Sequence, residues 1–146
     1  MQQIVKGLIG TQDMALGTST FTRATSTGGT QTLTQVPIVN GSWTPVATNL
    51  TQVGGAATIS GHYSVVGNLV FFTISIVPVT NTSSVAGTTS FNEPPGLPAA
   101  RQSVCYASDV AFASFGTGII GTANIFPPAW TTDANTVRLS GVYELA

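Results

Sequence analysis

The chain has 146 residues, of which 42% are apolar and only 6% charged, with a net charge of -1 and a positive mean hydropathy. That length suits one domain with its own core, and four scattered basic residues (Lys6, Arg23, Arg101, Arg138) make no patch to neutralise phosphates. One cysteine and one histidine exclude an intrachain disulfide and a Cys/His metal cage, so neither metal nor other cofactor is expected.

The first ten residues hold only short apolar pairs, Ile4-Val5 and Leu8-Ile9, too broken for the apolar stretch of a secretory signal. No run approaches the ~18 apolar residues of a membrane helix. The expectation is therefore a product of the cytoplasm with no membrane insertion and no nucleic-acid partner. Residues 1–40 read as an extended arm with sparse apolar residues. Within it, Gly28-Gly29 separates two alternating tracts, 18–27 and 30–35, which predicts a hairpin with a primed turn. Such a ribbon is marginal in water by itself, so the arm must lie on something. Ile4, Val5, Leu8, Ile9 and Phe21 are its candidate docking residues.

Residues 41–146 are denser in apolar residues and read as a knob. Serine and threonine together make up roughly a quarter of the chain, above ordinary usage. Disorder does not follow, because the threonines sit among Val, Ile, Phe and Tyr and are strand formers themselves. Residues 59–65 alternate with period two, Gly67-Asn68 supplies a tight turn, and 69–77 returns as the strongest strand. One face of that strand, Val70, Phe72, Ile74 and Ile76, is wholly apolar. The other carries Leu69, Phe71 and Val77 beside Thr73 and Ser75. A strand apolar on both faces is covered from both sides, and in so small a domain a neighbouring subunit would supply the second cover. Leu69, Phe71 and Val77 are thus the candidate subunit contacts.

Residues 80–89 read as a polar loop, and Pro94-Pro95-Gly96-Leu97-Pro98 as a rigid connector where no sheet continues. Three strand tracts follow at 103–114, 119–126 and 136–145, separated by Gly116-Thr117-Gly118 and Pro127-Pro128. No helical spacing persists for three turns. The predicted class is all-β, a small sandwich or jelly roll with an extended N-terminal arm.

Catalytic chemistry finds little to work with. His62 lies inside an alternating strand, and no nucleophile-elbow spacing accompanies it with Asp13, Asp109 or Asp133. Glu93 and Glu144 are candidates for a carboxylate pair, but one precedes a proline pair and the other ends the chain, so neither is expected to be buried with a raised pKa. Cys105 reads as a small core filler. Asn40, Asn49 and Asn81 begin glycosylation sequons that a chain without a secretory signal would not use. Trp130, with Thr82 and Ser83 of the 80–89 loop, is the candidate outward tip; its ring could stack on a sugar, as could that of Trp43. The chain is not expected to be an enzyme.

Gly41-Ser-Trp43-Thr44-Pro45, Tyr63-Ser-Val-Val-Gly67-Asn68-Leu-Val70, Gly96-Leu97-Pro98 and Leu139-Ser-Gly141-Val-Tyr143-Glu resemble a pattern in β-structured modules of tailed-bacteriophage fibre and virion surface proteins. The arm segments Gly7-Leu8-Ile9-Gly10 and 15–24 are similar to phage fibre segments. The resemblance implies a homotrimer on the virion, a structural protein whose arm binds other virion proteins of capsid or tail. With a short arm and no repeated shaft, a capsid-decorating cement protein is the favoured expectation. The alternative is a short tail fibre or receptor-binding tip for a host-surface glycan.

Overall fold

A computed structural model describes the backbone of residues 19–24, 30–35 and 38–146, and the side chains of 38–146. Strands β1 (Ser19–Ala24) and β2 (Thr30–Gln35) pair antiparallel from Ser19↔Gln35 to Ala24↔Thr30. The expected antiparallel pairing of these two tracts is therefore present. Its Gly28-Gly29 turn, the docking candidates Ile4, Val5, Leu8 and Ile9, and the side chain of Phe21 lie outside the described residues. The chain divides into two units, Met1–Pro37 and Ile38–Ala146. The boundary falls three residues before the expected 40/41 division, because residues 38–40 open a strand of the second unit.

That second unit begins with β3 (Ile38–Trp43), β4 (Ala47–Thr48), β5 (Thr51–Val53), β6 (Thr58–Val66) and β7 (Leu69–Val77). It continues with β8 (Asn81–Ser84), β9 (Ser90–Asn92), β10 (Ser103–Asp109), β11 (Ser114–Ile120), β12 (Asn124–Phe126), β13 (Trp130–Asp133) and β14 (Val137–Glu144). Nine strands form one antiparallel sheet in the order β3-β6-β7-β14-β10-β11-β12-β9-β4, and three form a second, β13-β8-β5. The class is all-β and sandwich-like, with no helix among the described residues.

Period-two alternation builds the core. Val70, Phe72, Ile74 and Ile76 of β7 are buried beside Val137, Leu139 and Tyr143 of β14 and Cys105 and Ala107 of β10. Full burial of each large side chain contributes ~1.5–3 kcal/mol. The β6–β7 hairpin turns on Gly67 and Asn68 as expected, with Gly67 at φ 63° in the position where a primed turn needs a left-handed residue. That turn fixes a register running from Val66↔Leu69 to Thr58↔Val77.

At one end of the sheet, the Gly-x-Trp spacing of β3 has a packing reason. Gly41 lies opposite Tyr63 and Trp43 opposite Gly61. The Tyr63 ring occupies the space a Cβ on Gly41 would need, and the Trp43 ring that of Gly61. The two rings meet at a centroid distance of 6.0 Å, tilted by 58°. Each glycine is thus covered by an aromatic from the facing strand, an arrangement that also pins register.

Two boundaries differ from expectation. The 80–89 segment is not a loop throughout, since Asn81–Ser84 is β8, the middle strand of the smaller sheet. Likewise Gly116-Thr117-Gly118 does not separate strands but lies within β11. There the backbone of Phe126 and Pro127 approaches so closely that a Cβ on Gly118 would overlap it. The glycine permits close strand contact rather than a turn.

Candidate interaction surface

The outward face of the large sheet follows from the same registers that build the core. Phe71 on β7 lies directly across from Val142 on β14, and Val104 on β10 from Ile119 on β11. Because Cys105 pairs with Gly141, Val104 and Val142 project from the same face of adjacent strands. Phe71, Val142, Val104 and Ile119 therefore form one apolar row across four strands. Leu69, two residues along β7 from Phe71, widens the row at one end, where Val66 opposes it and Ile38 opposes Val66.

Their exposure decides how this row is read. Phe71 is 46% exposed, Val104 65% and Ile119 50%, and Leu69 and Val142 are also open to solvent. Single exposed apolar side chains are ordinary, whereas a contiguous row of them is a candidate contact surface. Covering the exposed remainder of each contributes on the order of 1 kcal/mol. No charge interrupts the row. Glu144, opposite Leu69, and Arg138, opposite Ser75, stand at the two ends of β14. The described unit has six charged residues, Glu93, Arg101, Asp109, Asp133, Arg138 and Glu144, and two of them, Glu93 and Asp109, are buried. Of the remaining four, Arg101 and Glu144 pair with each other at 3.3 Å.

The sheet edges are unequal. At one end β4 is only two residues long, and β13 of the smaller sheet is interrupted by an irregular register between Trp130 and Asp133. Short or bulged edges resist further pairing. β3, the other edge of the large sheet, is six residues long and carries no proline and no charge. A cleft of ~310 Å³, lined by Gly87, Ile119, Phe126 and Pro127 among others and by no charged side chain, adjoins the row at Ile119.

Of the three candidate contacts, the structure brings Leu69 and Phe71 into this row. Val77 is exposed too, but lies opposite Thr58 at the far end of β7, beyond Thr73 and Ser75. The outward-tip candidates are corrected. Trp130 is 3% exposed and Thr82 fully buried. They do come together, with Trp130 Nε1 donating to Thr82 Oγ1 at 3.4 Å and the Phe115 ring stacked on Trp130 at 5.6 Å. Ser83, the third candidate, is half-buried and pairs with Thr51 of β5. The trio is a seam between β8 and β13, so Trp130 presents no open ring to a sugar. Trp43 is buried as well.

Among the catalytic candidates, His62 stands exposed on β6 between Ser42 and Thr73. Asp109 is occupied structurally: one carboxylate oxygen accepts from Ala113 N at 2.6 Å and the other from Asn135 Nδ2 at 2.9 Å. Cys105 is buried, and burial pushes its thiol up to about 11. The expectation for Glu93 is overturned: it is buried, and desolvation raises its pKa against the opposing pull of the Ala99 amide. Its burial arises from long-range folding, which places the 93–99 segment against the end of β14. Among the described residues, no cluster of three or more His, Cys, Asp or Glu could hold a metal ion.

No family model, no curated protein and no solved structure matches the chain.

Proposed function

We propose that the protein is a structural subunit of a bacteriophage virion, a homotrimeric knob that decorates and cements the capsid, with its N-terminal arm as the attachment to other virion proteins. The observation that carries the reading is the exposed, uncharged apolar row through Phe71, Val142, Val104 and Ile119. A surface of this kind is covered in the working state, and a second copy of the same chain presents an equally apolar partner. The order of the Trp-Thr-Pro, Gly-Asn and Gly-Leu-Pro motifs supports the virion assignment. In a cement role the stabilisation comes from interface that exists only on the assembled shell.

The alternative is a short fibre or receptor-binding tip for a host-surface glycan. It loses its best sugar platform with the burial of Trp130. Quantifying the protein in purified particles separates the two. Copy numbers in the hundreds, together with particles that rupture at lower temperature when the protein is missing, are the expected outcome. A handful of copies, with free protein competing against infection, would replace the cement role by the fibre role.

A further inference from the structure

The C-terminal end of the chain is held by a short loop. Glu93 is followed by Pro94-Pro95-Gly96-Leu97, a turn closed by Leu97 N donating to Pro94 O at 3.2 Å, with Gly96 at φ 74° in the position that a type II turn reserves for glycine. From this loop the Leu97 carbonyl accepts the Tyr143 hydroxyl at 2.7 Å. The Pro98 carbonyl accepts Ala146 N at 3.0 Å, and Ala100 N donates to Glu144 O at 2.7 Å. Ala99 bridges Leu145, whose own N–H donates to Asn68 O at 2.8 Å. Residues 143–146 are thus stitched to the loop on one side and to the β6–β7 turn on the other.

The loop is closed at its base by one carboxyl group. Glu93 Oε2 accepts the Ala99 amide at 3.1 Å, while Oε1 is buried and has no hydrogen-bond partner; it is the one such side-chain atom among the described residues. The titratable group facing it is Tyr143 on β14, with Tyr63 on β6 behind. The Tyr143 hydroxyl gives its proton to Leu97 O, so it is not free for Glu93. Among the described residues no cation stands within ion-pair distance; Arg101 pairs with Glu144 instead. The loop itself, 94–99, carries no ionisable side chain.

We propose that Glu93 is a proton-dependent latch: protonated, it keeps the 93–99 loop closed on residues 143–146, and loss of its proton to solvent loosens the loop and the chain end it grips. The physical reason is the contrast between the two forms. A neutral carboxyl with one unsatisfied oxygen is tolerable in a buried site, whereas a carboxylate there has one amide donor and, among the described residues, no counter-charge. Desolvation accordingly raises the group's pKa from 4.5. The sign follows from linkage. An acid held neutral by folding contributes fully below its unfolded pKa, and that contribution is lost as pH rises through the higher folded value. The inference stands apart from the assembly reading, because the latch lies within one chain.

The test compares thermal unfolding of the full chain and of Glu93→Gln from pH 4 to pH 8. Glutamine keeps an acceptor for the Ala99 amide and cannot ionise. The Tm of the wild type is expected to fall relative to that of the variant as pH rises through this window. Protection of the Ala99, Leu145 and Ala146 amides from hydrogen exchange should fall in the wild type alone. Parallel profiles would overturn the latch. If the variant does not fold, the Glu93 carboxyl carbon can be titrated by NMR in the wild type. A midpoint clearly above 4.5 supports the proposal, and one at an ordinary exposed-glutamate value contradicts it.

Discussion

Both faces of the large sheet carry apolar residues in register, yet they do different work. On the inner face, Val70, Phe72, Ile74 and Ile76 meet Val137, Leu139 and Tyr143 and vanish from solvent. On the outer face, Leu69, Phe71, Val142, Val104 and Ile119 line up as regularly and stay open. Period-two alternation would normally make the second face polar. The difference teaches that the chain completes one core by itself and leaves a second apolar row open, the surface that the proposed assembly would cover.

Substitutions on the inner face should have the largest effect, and all of it on folding. Phe72→Ala removes a ring packed against Tyr143 on the facing strand and should cost ~3–5 kcal/mol in denaturant unfolding. Leu139→Ala, fully buried on β14, should cost ~2–5 kcal/mol. A loss below ~1 kcal/mol at both sites would mean that the inner face is not the tightly packed core described above.

Next in size is a polar contact at the rim of that core. Tyr143→Phe leaves the Leu97 carbonyl without its donor and should destabilise by ~1–3 kcal/mol. Burial, with the nearby Glu93 adding to it, pushes the Tyr143 phenol up. Its ultraviolet titration should therefore lag behind that of an exposed tyrosine in the folded chain.

The smallest effect on folding should come from the outer face. Val104→Ser and Val142→Ser should change the unfolding free energy of a single chain by no more than ~0.5 kcal/mol, the range of ordinary surface positions. Both should nonetheless weaken association of the chain with its copies. Equal losses in folding on the two faces would erase the distinction between them.

Much of this was legible in the residues, and the parts that were not share a cause. The β6–β7 hairpin declares itself because its alternation, its Gly67-Asn68 turn and its register are all local. The apolar second face of β7 was readable for the same reason. β8 was hidden because Asn81-Thr-Ser-Ser looks like solvent-facing loop. It is buried through long-range pairing with β5 and β13, where the Thr82 hydroxyl receives the Trp130 indole. The same pairing turned an expected outward tip into a seam. The burial of Glu93 is not legible locally because a glutamate before two prolines suggests an exposed corner, whereas Tyr143, about fifty positions away, supplies part of its surroundings. The row on the outer face was only half visible: Leu69 and Phe71 stood out in their strand, but Val104, Ile119 and Val142 join them only through sheet order.

Sedimentation equilibrium of the full chain beside Phe71→Asp tests the central claim most directly. The expected result is a wild-type mass of three chains, with the variant folded but monomeric or precipitating. A wild type that stays a rigid, soluble single chain at high concentration, or a Phe71→Asp trimer with unaltered melting, would contradict it.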